Sequence, residues 1–206
     1  MENKVTLYGA SGHCKVIMDI LDKNNVLIET IIDDDPNKKT LLGEQIVSSS
    51  SVKWSKTRNL ILTVGNNAIR KKIAKNILGT FVNAVHPKAI IADFVTINYG
   101  TVIMAGAIIN SDAIVGKHCI INSASVIEHD CNIGDFVHLS PNATLAGNVE
   151  VGEGSHIGLG ALVIQGVKIG KWVTIGAGAV IIKDVPDYAV VVGNPGKIIK
   201  YNQADE

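Results

Sequence analysis

The chain is short of aromatic residues. Phe, Trp and Tyr make up 4% of its 206 residues, while glycine occurs 20 times. A packed globule of this length normally fills much of its interior with aromatic volume, so this core is built from aliphatics on a glycine-rich backbone. Cysteines are few: Cys14, Cys119 and Cys131 form an odd set without CxxC spacing. That argues against a disulfide scaffold and fits a reducing, cytoplasmic setting. Net charge is absent, because 19 Lys and Arg balance 19 Asp and Glu. Nucleic-acid binding needs clustered excess cation and is disfavoured. No uncharged apolar run reaches the length of a membrane span, and no signal-peptide pattern opens the chain.

What the sequence does have is a repeat. Stepping six residues at a time from Ile91 gives Ile97, Ile103, Ile109, Val115, Ile121 and so on to Ile175 and Ile181, always Ile, Leu or Val. Four residues after each of these lies a small or β-branched residue: Val95, Thr101, Ala107, Ala113, Cys119, Ser125 and onward. Glycine often follows the large aliphatic, as at Gly116, Gly134, Gly152, Gly158, Gly170 and Gly176. A period of six matches neither the helical 3.6 nor the strand 2 alone. It describes a two-register strand, a turn, and the next strand. Three such units make an 18-residue triangular coil, and coils stack at the strand spacing of ~4.8 Å. The narrow interior takes one aliphatic per side, which explains the missing aromatics. The rival reading, an antiparallel sandwich with coincidental spacing, is disfavoured, since its strands recur at about 8–12 residues with variable turns.

The first ~85 residues follow another grammar, and a strand–helix alternation predicts a small parallel α/β domain. Strands are expected at Lys4–Tyr8, Leu27–Ile32, Leu60–Val64 and Phe81–Val85, with helices over Lys15–Asn24 and Ala68–Leu78. Residues 1–86 form this domain, 87–187 the repeat domain and 188–206 a tail. Gly9-Ala10-Ser11-Gly12 joins a strand to a helix. Glycines there admit an anion to the helix N-terminus, with pyrophosphate the natural guest. The full GxGxxG fingerprint is absent, so no nicotinamide dinucleotide is specified, and a plain tight turn has the same signature. Asp33–Asp35 and Gly65-Asn66-Asn67 end the next two strands on the same sheet edge, where open α/β sheets bind ligands.

Four histidines lie in the repeats at phases outside the core: His118, His129, His138 and His156. His138 and His156 each precede a core aliphatic, 18 residues apart, so they point outward from one flat face one coil apart. His129 falls in a turn between Glu128 and Asp130, on a different edge. One chain therefore does not join His129 to His138, but neighbouring prisms in a trimer could. A histidine with a reference pKa near ~6.5 suits a general base. The spacings of these histidines do not form a zinc site, so no metal is expected. Cys131 is at an inward position, which argues against a thiol nucleophile. Ile108, Ile114, Ile120 and Val126 are expected to face outward as apolar stripes that need partners.

Several motifs together resemble one family. They are Tyr8-Gly-Ala-Ser-Gly-His13, Gly65-Asn-Asn-Ala-Ile-Arg-Lys-Lys-Ile73, Asn122 through Cys131, and Gly193-Asn-Pro-Gly-Lys197. The chain resembles the bacterial hexapeptide-repeat nucleotide-sugar N-acetyltransferases of the UDP-N-acetylbacillosamine type, whose wider group includes sialic acid O-acetyltransferases. The resemblance implies an α/β Rossmann-like N-terminal domain followed by a left-handed parallel β-helix; the period alone does not give the handedness. It implies acetyl-CoA as co-substrate, a nucleotide-linked amino sugar as acceptor, and a homotrimer. His129 matches the general base, Asp130 the acidic residue after it, His138 a second active-site histidine, and Asn122 a polar residue beside the acceptor amine. Close relatives often carry Glu where Asp130 stands. Gly147, His156, Leu159, Gly176, Ala177, Pro195 and Lys197 fall where the coenzyme is held, and Gly196 departs from the usual Ala in that tail. Ser11, Gly12, His13, Asp33, Asp34, Gly65 and Asn66 match the nucleotide-sugar pocket. Rival readings are an O-acetyltransferase acting on sialic acid, a non-catalytic hexapeptide-repeat assembly protein, and a nucleotide-dependent oxidoreductase built on the first domain. The last has no hydride-transfer site in the uninterrupted repeats.

Overall fold

The computed structural model describes residues 4–55 and 58–203. The N-terminal part is a six-stranded sheet of β1 (Lys4–Tyr8), β2 (Leu27–Ile32), β3 (Thr40–Leu41), β4 (Glu44–Val47), β5 (Asn59–Leu62) and β6 (Thr80–Phe81), in the order β3-β4-β2-β1-β5-β6. All pairings are parallel except β3 with β4. That hairpin, closed by Leu42 and Gly43 at positive φ, is an addition to the strands expected from sequence. Helix α1 (Gly12–Lys23) follows β1, and α2 (Asn67–Asn76) follows β5. Gly9 has φ +112°, and a Cβ there would lie 2.6 Å from Val64 Cγ2, so the chain leaves β1 tight against the end of β5.

From Ala84 onward the chain winds as a three-sided parallel β-helix. Sheet one stacks Ala84–Val85, Val102–Ile103, Ile120–Ile121, His138–Leu139, His156–Ile157, Thr174–Ile175 and Ala189–Val192. Sheet two runs from Ile90–Ile91 to Val180–Ile181, and sheet three from Thr96–Ile97 to Lys168–Ile169. Lys197–Tyr201 returns antiparallel along Ala189–Val192 and closes the first sheet. Each rung pairs with the residue 18 positions on, as with Ile121 and Leu139, until the last coil, where Ile175 pairs with Val191 only 16 positions on. The large aliphatics at the six-residue phase and the small residues four later form one continuous core, from Ile91 and Val95 to Ile181 and Val185. Where the small position is polar, a turn carbonyl satisfies it: Thr101 Oγ1 donates to Gly116 O at 2.8 Å and Ser155 Oγ to Gly170 O at 2.7 Å.

The glycines after the large aliphatic serve close approach. A Cβ on Gly116, Gly134 or Gly152 would stand 2.6, 2.7 or 2.6 Å from main-chain atoms of the coil above. Positive φ instead falls six residues apart on another turn position, held by Asp112, His118, Ala124, Asp130, Phe136 and Asn142.

Two expectations are corrected by the packing between the halves. Phe81–Val85 is not one strand: Thr80–Phe81 ends the α/β sheet, and Ala84–Val85 is already the first rung of the β-helix. Ile120 does not point to solvent. With Val102 and Met104 it is buried in one cluster with Cys14, Ile17, Ile20 and Leu21 of α1. Sheet one is therefore covered at its lower coils by the chain's own first domain. Ile114, on sheet three, is exposed, and Ile108 and Val126, on sheet two, are partly exposed.

Candidate active site

The ends of β1, β2 and β5 and the N-termini of both helices converge on sheet one. Asp33 stabilises this edge: its carboxylate accepts from Ala10 N at 2.7 Å, Lys38 Nζ at 2.8 Å and Asp35 N at 2.9 Å. Burial works against its charge, but these bonds prevail and hold its pKa below the usual range. Asp34 accepts from the Tyr8 hydroxyl at 2.6 Å and Ser49 N at 2.8 Å, and the Tyr8 bond is the main reason its pKa is lowered. Tyr8 in turn stacks on Trp54. Ser11 precedes α1 without capping it through its side chain, and Gly12 has nothing within 4 Å of where a Cβ would be. Gly65 is equally open. Asn66 caps α2, accepting from Ile69 N at 3.0 Å.

Beneath this edge lie two histidines of sheet one. His138 and His156 stack with centroids 4.8 Å apart and an interplanar angle of 13°. Asn122 Nδ2 is 3.1 Å from His138 Nε2, while Asn122 Oδ1 accepts from Ser123 N at 2.8 Å. The Asn122 amide nitrogen therefore donates, Nε2 accepts and Nδ1 carries the proton, which fixes the tautomer. Burial pushes His138 down to about 3, helped by the Arg70 charge and by His156 and His13 wherever these take up a proton. His13 is lowered to about 4, again chiefly by burial. These imidazoles are neutral at physiological pH. His156 Nε2 meets Ser140 Oγ at 2.7 Å. A cleft of about 1080 Å³ opens here, with Gly65, Asn66, His138 and His156 at one end and Lys72, Trp172 and others lining its length.

His129 lies elsewhere, on the edge between sheets two and three. It is open to solvent, and its Nδ1 is 2.7 Å from Asp130 Oδ2. A carboxylate only accepts, so Nδ1 carries the proton and Nε2 is left free. The Asp130 hydrogen bond raises the His129 pKa above its ordinary value. Directly above is Gly147, whose missing Cβ would fall 2.6 Å from His129 Cε1. The remaining sequence-predicted residues spread over two other places. Leu159, Gly176 and Ala177 mark the edge between sheets one and two, with Leu159 and Ala177 exposed; Pro195 and Lys197 are exposed beside the last rung. One chain thus gathers His13, Gly65, Asn66, Asn122, His138 and His156, and leaves His129, Asp130 and Gly147 on another edge. His118, expected at a phase outside the core, is buried between Phe81 and Phe136. Among the described residues no group of three His, Cys, Asp or Glu is placed to hold a metal, and no helix is long and apolar enough to cross a membrane.

The PglD N-terminal domain matches residues 4–77. The UDP-N-acetylbacillosamine N-acetyltransferase of Bacillus subtilis is 42% identical over 110 residues, a match that spans 49% of this chain and about half, 51%, of that enzyme. Perosamine N-acetyltransferase from Caulobacter crescentus, solved in complex with CoA and GDP-perosamine, superposes with a TM-score of 0.88 at 35% identity, covering 96% of this chain and 97% of that one. The acetyltransferase domain of PglB from Neisseria gonorrhoeae reaches a TM-score of 0.90 at 33% identity, covering 96% and 100%, and has also been solved with acetyl coenzyme A. An α/β domain set on sheet one of a hexapeptide β-helix is the shared architecture, and on this likeness over nearly its whole length the chain belongs to the hexapeptide-repeat nucleotide-sugar N-acetyltransferases.

Proposed function

We propose that the protein transfers the acetyl group of acetyl-CoA to the amine of a nucleotide-linked amino-deoxy sugar, with a UDP-4-amino-4,6-dideoxy sugar as the favoured acceptor. The observation that carries this reading is the His129–Asp130 pair at 2.7 Å, with Nε2 free beneath Gly147. A base that is open to solvent on one edge, with a roomy cleft on another, suits a site completed between chains. The acceptor nucleotide rests against Ser11, Gly12, Asp33 and Asn66, and the sugar reaches past His138 and Asn122. His129 Nε2 takes a proton from the amine as nitrogen attacks the thioester carbonyl. The Gly147 N–H supports the developing oxyanion. Collapse releases the coenzyme thiolate, which takes the proton back from the imidazolium. No covalent enzyme intermediate is needed. Leu159, Ala177 and the 195–197 tail hold the coenzyme.

A homotrimer supplies the missing edge. Leu159, Leu162, Ile164 and Ile114 are exposed at 54%, 46%, 45% and 46%, an apolar surface that sister prisms would cover. The test is thiol release from acetyl-CoA by purified protein against UDP- and GDP-linked amino sugars and their hydroxyl counterparts. Release only with an amino sugar is expected. Release with a hydroxylated sugar alone, or with none, would remove the reading.

A further inference from the structure

Arg70 belongs to a basic helix, yet it is only 1% exposed while Lys71 and Lys72 beside it reach the cleft. Its guanidinium makes five hydrogen bonds, and every acceptor is a carbonyl oxygen. Nη1 donates to Val64 O at 3.0 Å and Gly65 O at 3.1 Å, on the turn after β5. Nε donates to His118 O at 2.9 Å and Nη2 to Phe136 O at 2.9 Å, on successive coils of the β-helix edge between sheets three and one. Nη2 also reaches Asn67 Oδ1 at 2.9 Å. None of these partners carries a charge, and burial lowers the guanidinium pKa to about 10. A buried cation neutralised only by dipoles is a costly way to join two surfaces, since apolar contacts would do so more cheaply. What the fork alone can do is hold two groups of carbonyls at once, in fixed planar geometry.

One of those carbonyls belongs to the cleft. Gly65, whose carbonyl Arg70 holds at 3.1 Å, lines the same end of it as His138, and His138 Nε2 is 3.1 Å from Asn122. Arg70 therefore fixes the Gly65 turn beside the His138–Asn122 pair at the wall of the acceptor cleft. We propose that Arg70 is a positioning residue, which locks the 64–66 turn onto the β-helix so that Gly65 is held beside His138 and, with it, positions the acceptor. This rests on the reading of His138 and Asn122 as acceptor-side residues. The charged and titratable groups acting on His138 are Arg70, His13 and His156; all three disfavour its protonated form.

The test pairs Arg70→Met with Arg70→Lys and reads three things: thermal unfolding, the His138 imidazole by NMR on histidine-labelled protein (assigned by its loss in His138→Gln), and KM for each substrate. In the parent protein His138 stays neutral from about pH 5 to 8. In Arg70→Met it is expected to stay neutral, but its ring resonances are expected to shift and broaden as the 64–66 turn loosens beside it. The acceptor KM is expected to rise by about tenfold or more while the acetyl-CoA KM moves less than about twofold. Arg70→Lys keeps a charge but not the fork. It is expected to leave His138 neutral and still raise the acceptor KM. A folded Arg70→Met with unchanged His138 and acceptor KM overturns the proposal. So does a lysine variant with wild-type kinetics, which also decides the matter if Arg70→Met does not fold. A changed His138 signal in a protein that acetylates no sugar would sink the acceptor reading and leave the positioning of His138 by Arg70 standing.

Discussion

Gly147 sits one coil above His129, and a Cβ on it would approach His129 Cε1 to 2.6 Å and Nε2 to 2.7 Å. The glycine is what lets the imidazole lie along the β-helix edge with Nδ1 on Asp130. Gly147→Ala is expected to displace the ring and reduce kcat by about tenfold or more while the unfolding temperature stays near wild type, since the ring is open to solvent. His129→Ala, which removes the proposed base, is expected to lose about 10²–10⁴-fold in turnover and to keep binding both substrates. Single-turnover rates with calorimetric binding check both; near-normal turnover in His129→Ala would end its assignment as base.

The pH profile separates Asp130 from a bystander. The Asp130 hydrogen bond raises the His129 pKa. A general base acts when neutral, so kcat/KM climbs as pH rises through that pKa. Asp130→Asn removes the charge that favours the imidazolium. The acid limb is therefore expected to move to lower pH, with a lower plateau because the ring loses its orientation. A limb that stays in place shows that another group governs it.

Mixing two variants tests the proposed sharing of the site between chains. His129→Ala and His138→Ala are each expected to be impaired alone. If His129 of one prism meets His138 of the next, random co-assembly at equal ratio restores about a quarter of the sites. Denaturing, mixing and refolding the two variants, then assaying thiol release, measures this. Activity no higher than the average of the parents would place both histidines in one chain's site.

The β-helix was legible because each of its coils repeats one steric problem. An inward aliphatic at every sixth residue from Ile91, and a small residue four later, can only fill a narrow triangular interior, and these residues do form the continuous core. Outward positions carry no such constraint. Ile114 and Ile120 read alike in sequence, yet one is exposed and the other lies under α1, because an apolar face looks the same whichever surface covers it. Arg70 was hidden for the converse reason. Followed by Lys71 and Lys72, it reads as part of a solvated face, and only the carbonyl-rich edge of the β-helix draws it inside. The turn before the repeats was missed in detail: Ala84–Val85 continues the apolar run of β6, and nothing local marks where pairing changes sheets. The motif residues of the first domain did converge, since β1, β2 and β5 are parallel neighbours that bring their ends to one edge.

Buried histidines set the acid limit of stability. Burial lowers His13 and His118 to about 4 and His138 to about 3, with His156 moved the same way. Their unfolded values lie near ~6.5, so as pH falls the unfolded chain takes up protons first. Stability is then fully present above about pH 6.5 and is lost progressively toward pH 4. Calorimetric unfolding at pH 7.5, 6 and 5 is expected to show a falling midpoint, and His118→Gln a shallower slope because one titrating group is gone. A midpoint flat across this range would mean that the histidines are solvated in the folded protein.

Two glycines of the β-helix make opposite predictions. Gly152 belongs to the column Gly116, Gly134, Gly152 and Gly170, where a Cβ would sit 2.6 Å from Gly170 C and from Lys171 N. Main chain does not yield as a side-chain tip does, so Gly152→Ala must push two coils apart and is expected to destabilise by about 1–3 kcal/mol. Gly160 has φ +62° with open space where a Cβ would be. One coil below, at the same turn position, Asn142 adopts φ 58°. Gly160→Asn repeats a residue this β-helix already tolerates, and it trims the freedom of the unfolded chain, so stability is expected to change by less than about 1 kcal/mol. Urea unfolding of the two variants checks the pair. Equal losses would mean that the turn conformation, rather than the contact between coils, governs where this repeat requires glycine.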